Sequence, residues 1–178
     1  LVDLLDRSVE RFPHRTALDF FGAQTSYREL GEQVARAARA LRGLGVSAGD
    51  RVAIALPNCP QHVVAFYAVL RLGAIVVEHN PLYTREEIEY QLGDHEPIVA
   101  IVWDKIAATV LSVAPSGTTV VAVDLTAELP VRQRLALRLP VRKARETRAA
   151  MHAVVPGVAR WEKILRAAAP LAADYPRP

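Results

Sequence analysis

RVAIALPNCPQHVVAFYAVLRLGAIVV, residues 51–77, carries the strongest indication of the fold class. Residues 51–56 are apolar after the first position, which is typical of a parallel strand covered on both faces. The PNCP run breaks this strand, residues 62–72 follow with a helix that is apolar nearly all round, and residues 74–77 predict a second buried strand. A strand, a helix and a strand at this spacing predict a parallel pair joined by a right-handed crossover.

The same alternation continues towards the C-terminus. Thr84 and Glu87 form a T-x-x-E capping box that opens a helix, residues 98–102 and 119–123 predict two more strands, and residues 105–113 predict the helix between them. We therefore expect an α/β fold with a mostly parallel, doubly wound sheet flanked by helices.

The N-terminal region adds a small hairpin before this sheet. Residues 16–20 and 24–26 predict its two strands, and Gly22 falls at its turn. Ser26 and Glu29 then form an S-x-x-E capping box for a helix that ends near Gly45.

Positive charge is concentrated near the C-terminus. Residues 1–130 hold 11 basic and 16 acidic residues, whereas residues 131–178 hold 11 basic and three acidic ones. We divide the chain into an α/β subdomain (1–127), a basic surface insertion (128–160) that lies apart from the sheet, and a short helix with a linker (161–178).

The basic insertion has two interpretations. It is a solvated surface, or it contacts anionic lipid or a second subunit. The residues that would make this contact are Arg132, Arg134, Arg138, Arg142, Lys143 and Arg145. Nucleic-acid binding is disfavoured because residues 131–160 contain no Phe, Trp or Tyr.

Ligands of doubly wound sheets bind beyond the carboxyl ends of the strands. There the sequence offers His79 and Asn80 as weak candidates for substrate binding, although Asn80 also fits the turn before Pro81. No metal site is expected, because Cys59 and His62 lack further ligands and the other histidines are scattered along the chain.

Motifs for catalysis are missing from the sequence. It contains no G-x-S-x-G, no H-E-x-x-H and no G-x-x-x-x-G-K-[ST]. The single cysteine cannot form an internal disulfide, which favours a reduced, cytoplasmic setting, and the longest apolar run is too short to span a membrane.

Ser116, Gly117, Thr118 and Thr119 imitate the start of a phosphate-binding loop. Four β-favouring residues follow them, however, so the run enters a strand where a phosphate loop would leave one. We interpret Ser116 and Gly117 as the turn before the last strand of the sheet.

Three stretches in order resemble the first part of the adenylate-forming acyl-CoA synthetases, also called AMP-dependent synthetases and ligases. They are TSYREL (25–30), GDRVAIALPNCPQHVVAFYAVLRLGAIVV (49–77) and HNPLYTREEIEYQLGDHEP (79–97). Residues 124–148 followed by WEKIL (161–165) are similar to an insertion of bacterial long-chain fatty-acid–CoA ligases.

The resemblance implies a two-step ligase. ATP, Mg²⁺ and CoA would be its cofactors and co-substrates, and a fatty acid its substrate. The family's Ser/Thr/Gly-rich phosphate loop and its catalytic lysine have no counterpart here, because Lys105, Lys143 and Lys163 stand in other contexts. PLAADYPRP resembles the lead-in to that loop, so we expect an N-terminal piece with no catalytic residue, no bound cofactor and no activity alone.

Several alternatives stay open. The piece could act as a scaffold or interaction module that contacts a membrane, forms a homodimer or packs on the remaining subdomains of its own chain. Within the family, an aryl-CoA ligase or a fatty acyl-AMP ligase also fits, because the residues of the acyl pocket mostly lie downstream.

Overall fold

The computed structural model describes residues 1–170. The helices among them are α1 (Val2–Arg11), α2 (Tyr27–Gly43), α3 (Pro60–Arg71), α4 (Arg85–His95), α5 (Asp104–Val113), α6 (Val131–Ala136), α7 (Arg142–Met151) and α8 (Trp161–Ala167), with a 3₁₀ helix at Leu125–Glu128. The strands are β1 (Thr16–Phe20), β2 (Ala23–Ser26), β3 (Arg51–Ala55), β4 (Ile75–Glu78), β5 (Val99–Trp103), β6 (Thr119–Val123) and β7 (Ala159–Arg160).

Strands β3 to β7 form a parallel five-stranded sheet in the order β4-β3-β5-β6-β7. The chain moves from β3 to β4 on one side and then crosses to β5 on the other side, so the order reverses beside β3. This arrangement confirms the predicted doubly wound sheet, and it places the topological switch point between β3 and β5.

Alternate residues of the strands face two separate apolar cores. On one face Val52, Ile54 and Ile101 pack with side chains of α2 and α3, and on the other Ala53 and Ala100 pack with α4 and α5. A strand with both faces buried needs apolar side chains at every position, which explains the unbroken run of apolar residues in β3.

The N-terminal hairpin and both capping boxes are confirmed. Strands β1 and β2 pair antiparallel. Ser26 accepts a hydrogen bond from the Glu29 N–H at the start of α2, and Thr84 accepts one from the Glu87 N–H at the start of α4. The carboxylate of each glutamate accepts a hydrogen bond from the backbone N–H of its cap residue. These local signals fix where both helices begin.

Two predictions about the sheet are wrong. Strand β4 was predicted as a buried strand at residues 74–77, but it is the edge strand Ile75–Glu78, and Ile75 is 49% exposed. The segment 128–160 was predicted to lie apart from the sheet, yet its last two residues form β7 and pair with β6. Both errors concern strand order, which the local pattern does not encode.

The interpretation of Ser116 and Gly117 as a turn is confirmed. Gly117 has a φ of +96°, and the Thr118 N–H donates to the Pro115 carbonyl over 3.1 Å before β6 begins at Thr119. β6 is not the last strand, because β7 follows it. The predicted linker after α8 falls partly on residues 171–178, which lie outside the described part of the chain.

Candidate functional site

The carboxyl ends of the parallel strands gather several polar side chains at one edge of the sheet. Asp104 directly follows β5 and is the first residue of α5, and Asp124 directly follows β6. Because β5 and β6 are neighbours in register, these two aspartates lie side by side. His152, at the end of α7, completes a cluster in which one ligand atom of each residue lies within 4.8 Å of the others.

Asp104 is the buried member of this cluster. Its side chain accepts a hydrogen bond from His152 Nδ1, which also lies 3.5 Å from Asp124 Oδ2. Burial raises the pKa of Asp104 to about 6, although the bond and charge of His152 and the Ala153 backbone N–H act in the opposite direction. Asp104 therefore needs a cation or a proton beside it.

Asp124 is held in place by hydrogen bonds with residues of three elements, the 3₁₀ helix, α8 and α3. Its Oδ1 accepts bonds from the N–H and the hydroxyl of Thr126, and its own N–H donates to Glu162 Oε1 over 3.0 Å. Its carbonyl accepts a bond from Gln61 Nε2, on α3, over 3.1 Å. These contacts fix the direction of the Asp124 carboxylate.

His79, a predicted substrate-binding residue, follows the edge strand β4 and is only 7% exposed. Its Nε2 lies 2.7 Å from Nε2 of His95, so one ring donates a hydrogen bond and the other accepts it. Burial, together with the neighbouring His95, lowers the pKa of His79 to about 4, and burial also lowers the pKa of His95. His79 is thus held neutral, and its Nε2 already has a hydrogen-bonding partner in His95.

Asn80, the second predicted substrate-binding residue, is exposed, and its Oδ1 accepts a hydrogen bond from the Leu82 N–H over 3.0 Å. This geometry is the turn that the sequence offered as the other interpretation of Asn80. A substrate-binding role for His79 and Asn80 stays a prediction.

Cys59 and His62 do not share a contact that would make a metal site. Cys59 is buried and free, and burial raises the pKa of its thiol to about 11. His62 Nε2 instead lies 3.0 Å from a Glu78 carboxylate oxygen. A neutral buried thiol is a poor nucleophile and a poor metal ligand.

A groove of about 680 Å³ opens beside the hairpin. It runs between β2, α2, the 3₁₀ helix and α8, and it contains arginines from three elements together with Glu128 and Glu162. Burial raises the pKa of both glutamates. No local sequence pattern signals this groove, because its walls come from segments that are distant along the chain.

The six predicted contact residues of the basic insertion are all exposed on α6, on α7 or between them. They are Arg132, Arg134, Arg138, Arg142, Lys143 and Arg145. Arg134 donates to the Ala127 carbonyl, and Arg142 pairs with Glu146 one helical turn later. Val131, Leu135 and Leu139, which are interleaved with the basic residues, are each more than half exposed.

Sequence reasoning missed the Asp104–Asp124–His152 cluster because it treated the histidines as scattered. The two aspartates carried a usable signal. Asp124 directly follows the predicted strand 119–123, and Asp104 lies two positions after the predicted strand 98–102, so both could have been placed at the carboxyl ends of the strands. His152 carried none, because it lies 28 positions after Asp124 and its position depends on how α7 folds back. Among residues 1–170, every helix is too short or too polar to span a lipid bilayer.

Comparison with known proteins places this geometry in a family. Residues 5–159 match the model of the AMP-binding enzymes. Over 104 residues the chain is 44% identical to a long-chain-fatty-acid–CoA ligase of Bacillus subtilis. The aligned region covers 58% of this chain and 19% of the relative. The chain thus spans about a fifth of that relative's length.

Solved structures share the fold. A crystal structure of an anthranilate CoA ligase in complex with anthranoyl-AMP superposes with a TM-score of 0.77 and 22% identity, over 99% of this chain and 29% of that one. The N-terminal subdomain of Klebsiella oxytoca NpsA gives a TM-score of 0.60 and 30% identity, over 68% of this chain and 30% of that one.

Proposed function

The chain belongs to the family of AMP-binding enzymes, and we propose that it is the N-terminal part of a fatty-acid–CoA ligase. The observation that supports the substrate class is the 44% identity with the Bacillus subtilis long-chain-fatty-acid–CoA ligase.

The proposed reaction has two steps. A carboxylate oxygen of the fatty acid attacks the α-phosphorus of ATP, pyrophosphate leaves, and an acyl-adenylate forms. The CoA thiol then gives up its proton and attacks the acyl carbon, AMP leaves, and a thioester remains. Mg²⁺ would neutralise the phosphate charge during the first step.

The described residues would contribute a rigid sheet rather than reacting groups. The sequence has no phosphate loop and no lysine in a matching context, and the buried His79 and Cys59 are kept neutral. We therefore propose that the 178-residue chain alone does not adenylate fatty acids. We also assign the reaction to the cytoplasm, on the ground that the single cysteine requires no oxidising compartment.

A chimera tests this function. The chain replaces the matched segment of the Bacillus subtilis ligase, and ATP–pyrophosphate exchange is measured with palmitate, so the chimera tests whether this chain can serve as the N-terminal part of such a ligase. We expect exchange with palmitate by the chimera, and none by the isolated chain or by the Bacillus ligase without the segment. A folded but inactive chimera counts against the proposed function, and exchange by the isolated chain counts against its inactivity.

A second candidate function is contact with an anionic membrane surface. It is supported by exposed basic residues interleaved with exposed apolar ones along α6 and the link to α7. Such a pattern suits a segment that lies at a lipid interface, where both charge and apolar side chains contribute.

Liposome co-sedimentation separates these two contributions. Replacing Arg132, Arg138 and Arg145 by Ser should reduce binding to anionic vesicles, and replacing Leu135 and Leu139 by Ser should reduce it as well.

Neutral vesicles and a variant with Arg7, Arg11 and Arg15 changed to Ser serve as controls. Equal binding by all forms contradicts a role for this segment.

A further inference from the structure

The Asp104–Asp124–His152 cluster has the composition of a metal site. It offers two carboxylate oxygens and one imidazole nitrogen, one from each residue, within 4.8 Å of one another. The three residues come from the start of α5, the end of β6 and the end of α7. The cluster therefore joins the sheet edge to the basic insertion.

A second observation concerns Asp104 itself. Asp104 is only 3% exposed, and its Oδ1 has no hydrogen-bond partner among residues 1–170. Buried carboxylate oxygens are normally satisfied by a donor or a cation, so this atom has unused capacity for a ligand.

A small cavity adjoins this carboxylate. Its volume is about 20 Å³, and Asp104 and Asp124 both line it. A space of this size holds one water-sized guest but no organic molecule. The occupant that the chemistry favours is therefore a single ion or water rather than a substrate.

We propose that Asp104, Asp124 and His152 bind one divalent transition-metal ion of the Zn²⁺ class, which ties the end of α7 to the carboxyl ends of β5 and β6. Imidazole nitrogen together with carboxylate oxygen suits Zn²⁺ and its neighbours, and three protein ligands leave a fourth position for water. Mg²⁺ is a poor match because it prefers oxygen ligands in an octahedral shell.

The surroundings of the cluster are compatible with this ion. Thr126 holds Asp124 Oδ1, which leaves Oδ2 towards His152, and such outer contacts orient metal ligands. Arg160 Nη2 lies 3.9 Å from Asp124 Oδ2, but its side chain is 52% exposed and can turn into solvent. His152 exchanges its hydrogen bond with Asp104 for a bond to the metal, and its Nδ1 must then carry no proton.

The test measures Zn²⁺ binding by the 178-residue chain after treatment with a chelator. Calorimetry should give one ion per chain, and Zn²⁺ should raise the melting temperature by mass action. We expect His152→Gln and Asp124→Asn each to weaken binding at least 10-fold and to abolish the thermal shift. Both residues are partly exposed, so these variants should stay folded, which circular dichroism verifies.

Two histidine controls locate the site. His14→Gln, at an exposed position, and His95→Gln, in the separate histidine pair, should bind Zn²⁺ as the parent chain does. Co²⁺ in place of Zn²⁺ should give visible absorption bands that the His152→Gln variant lacks. Absence of binding, or binding that His152→Gln and Asp124→Asn leave unchanged, overturns the proposal and leaves a metal-free His152–Asp104 hydrogen bond.

Discussion

At the scale of single residues, the buried polar side chains gather at the carboxyl ends of the strands. His79 and Asp104 are both almost fully buried, and burial shifts their pKa values in opposite directions, lowering that of the histidine and raising that of the aspartate. In each case burial disfavours the charged form of the group. The two residues therefore make opposite contributions to the dependence of stability on pH.

His79 should make the folded state less stable in acid. Its pKa is about 4 in the folded state and 6.5 for the unperturbed group, so its stabilising contribution is complete above pH 6.5 and is lost as the pH falls towards 4. Between pH 7 and pH 5 the free energy of unfolding should fall by about 2 kcal/mol more for the parent chain than for His79→Gln. Urea unfolding at both pH values measures this difference, and His14→Gln should behave like the parent.

The sequence predicted the parts of the site that depend on local pattern. Asn80 before Pro81 and Gly117 before β6 adopt the turns that their residue types favour. It did not predict the contact of His79 with His95 or that of Asp104 with His152, because each joins residues brought together by helix packing. The packing of α4, not the position of His79 at a strand end, decides which side chain it contacts.

At the scale of elements, the helix starts were predicted best. Capping boxes are short patterns with a direct structural consequence, and both of them form at α2 and α4. Strand β4 was predicted as buried because its apolar sequence resembles that of β3. An edge strand and a central strand can share a sequence pattern, since exposure depends on which neighbours pair with the strand.

Two helix-interior glycines should respond differently to alanine. At Gly93, in α4, an added Cβ meets nothing within 4 Å, so Gly93→Ala should stabilise the chain by about 1 kcal/mol through helix propensity. At Gly31, in α2, the same Cβ lies 3.0 Å from Val9 Cγ2, so crowding against α1 should cancel the gain.

Thermal unfolding distinguishes the two variants. Gly93→Ala should raise the melting temperature by roughly 2–4 °C, and Gly31→Ala should not. Adding Val9→Ala to Gly31→Ala removes this crowding, so the double variant measures how much the crowding lowers the free energy of unfolding. An equal rise for both single variants would contradict the close packing of α1 on α2.

At the scale of the whole molecule, the strand order leaves the two edges of the sheet unequal. Strand β4 has four residues, and β3 is its only partner among the described strands, whereas the opposite edge is the two-residue β7. Edge strands with unused backbone hydrogen-bonding groups can pair with another copy of the chain. The open β4 edge is thus the place where self-association is expected.

Ile75→Lys should reduce self-association of the isolated chain. Ile75 is 49% exposed on β4, and a lysine there places charge at the edge of the sheet. Sedimentation over a range of concentrations should show a smaller rise in average mass for this variant. Leu111→Lys, at a 50% exposed position on α5, is the matched control, and an equal effect of both substitutions would rule out the β4 edge.

The pairing of β7 with β6 also bears on the order in which the molecule assembles. Strand β7 has only two residues and pairs with β6 alone among the described strands, although α6 and α7 must be looped out before Ala159 meets Val121. So short a pairing gains few hydrogen bonds against the conformational entropy that ordering the intervening chain costs. We therefore expect β7 and α8 to dock late in folding, so that weakening their contacts hastens unfolding while the rate of folding stays nearly constant.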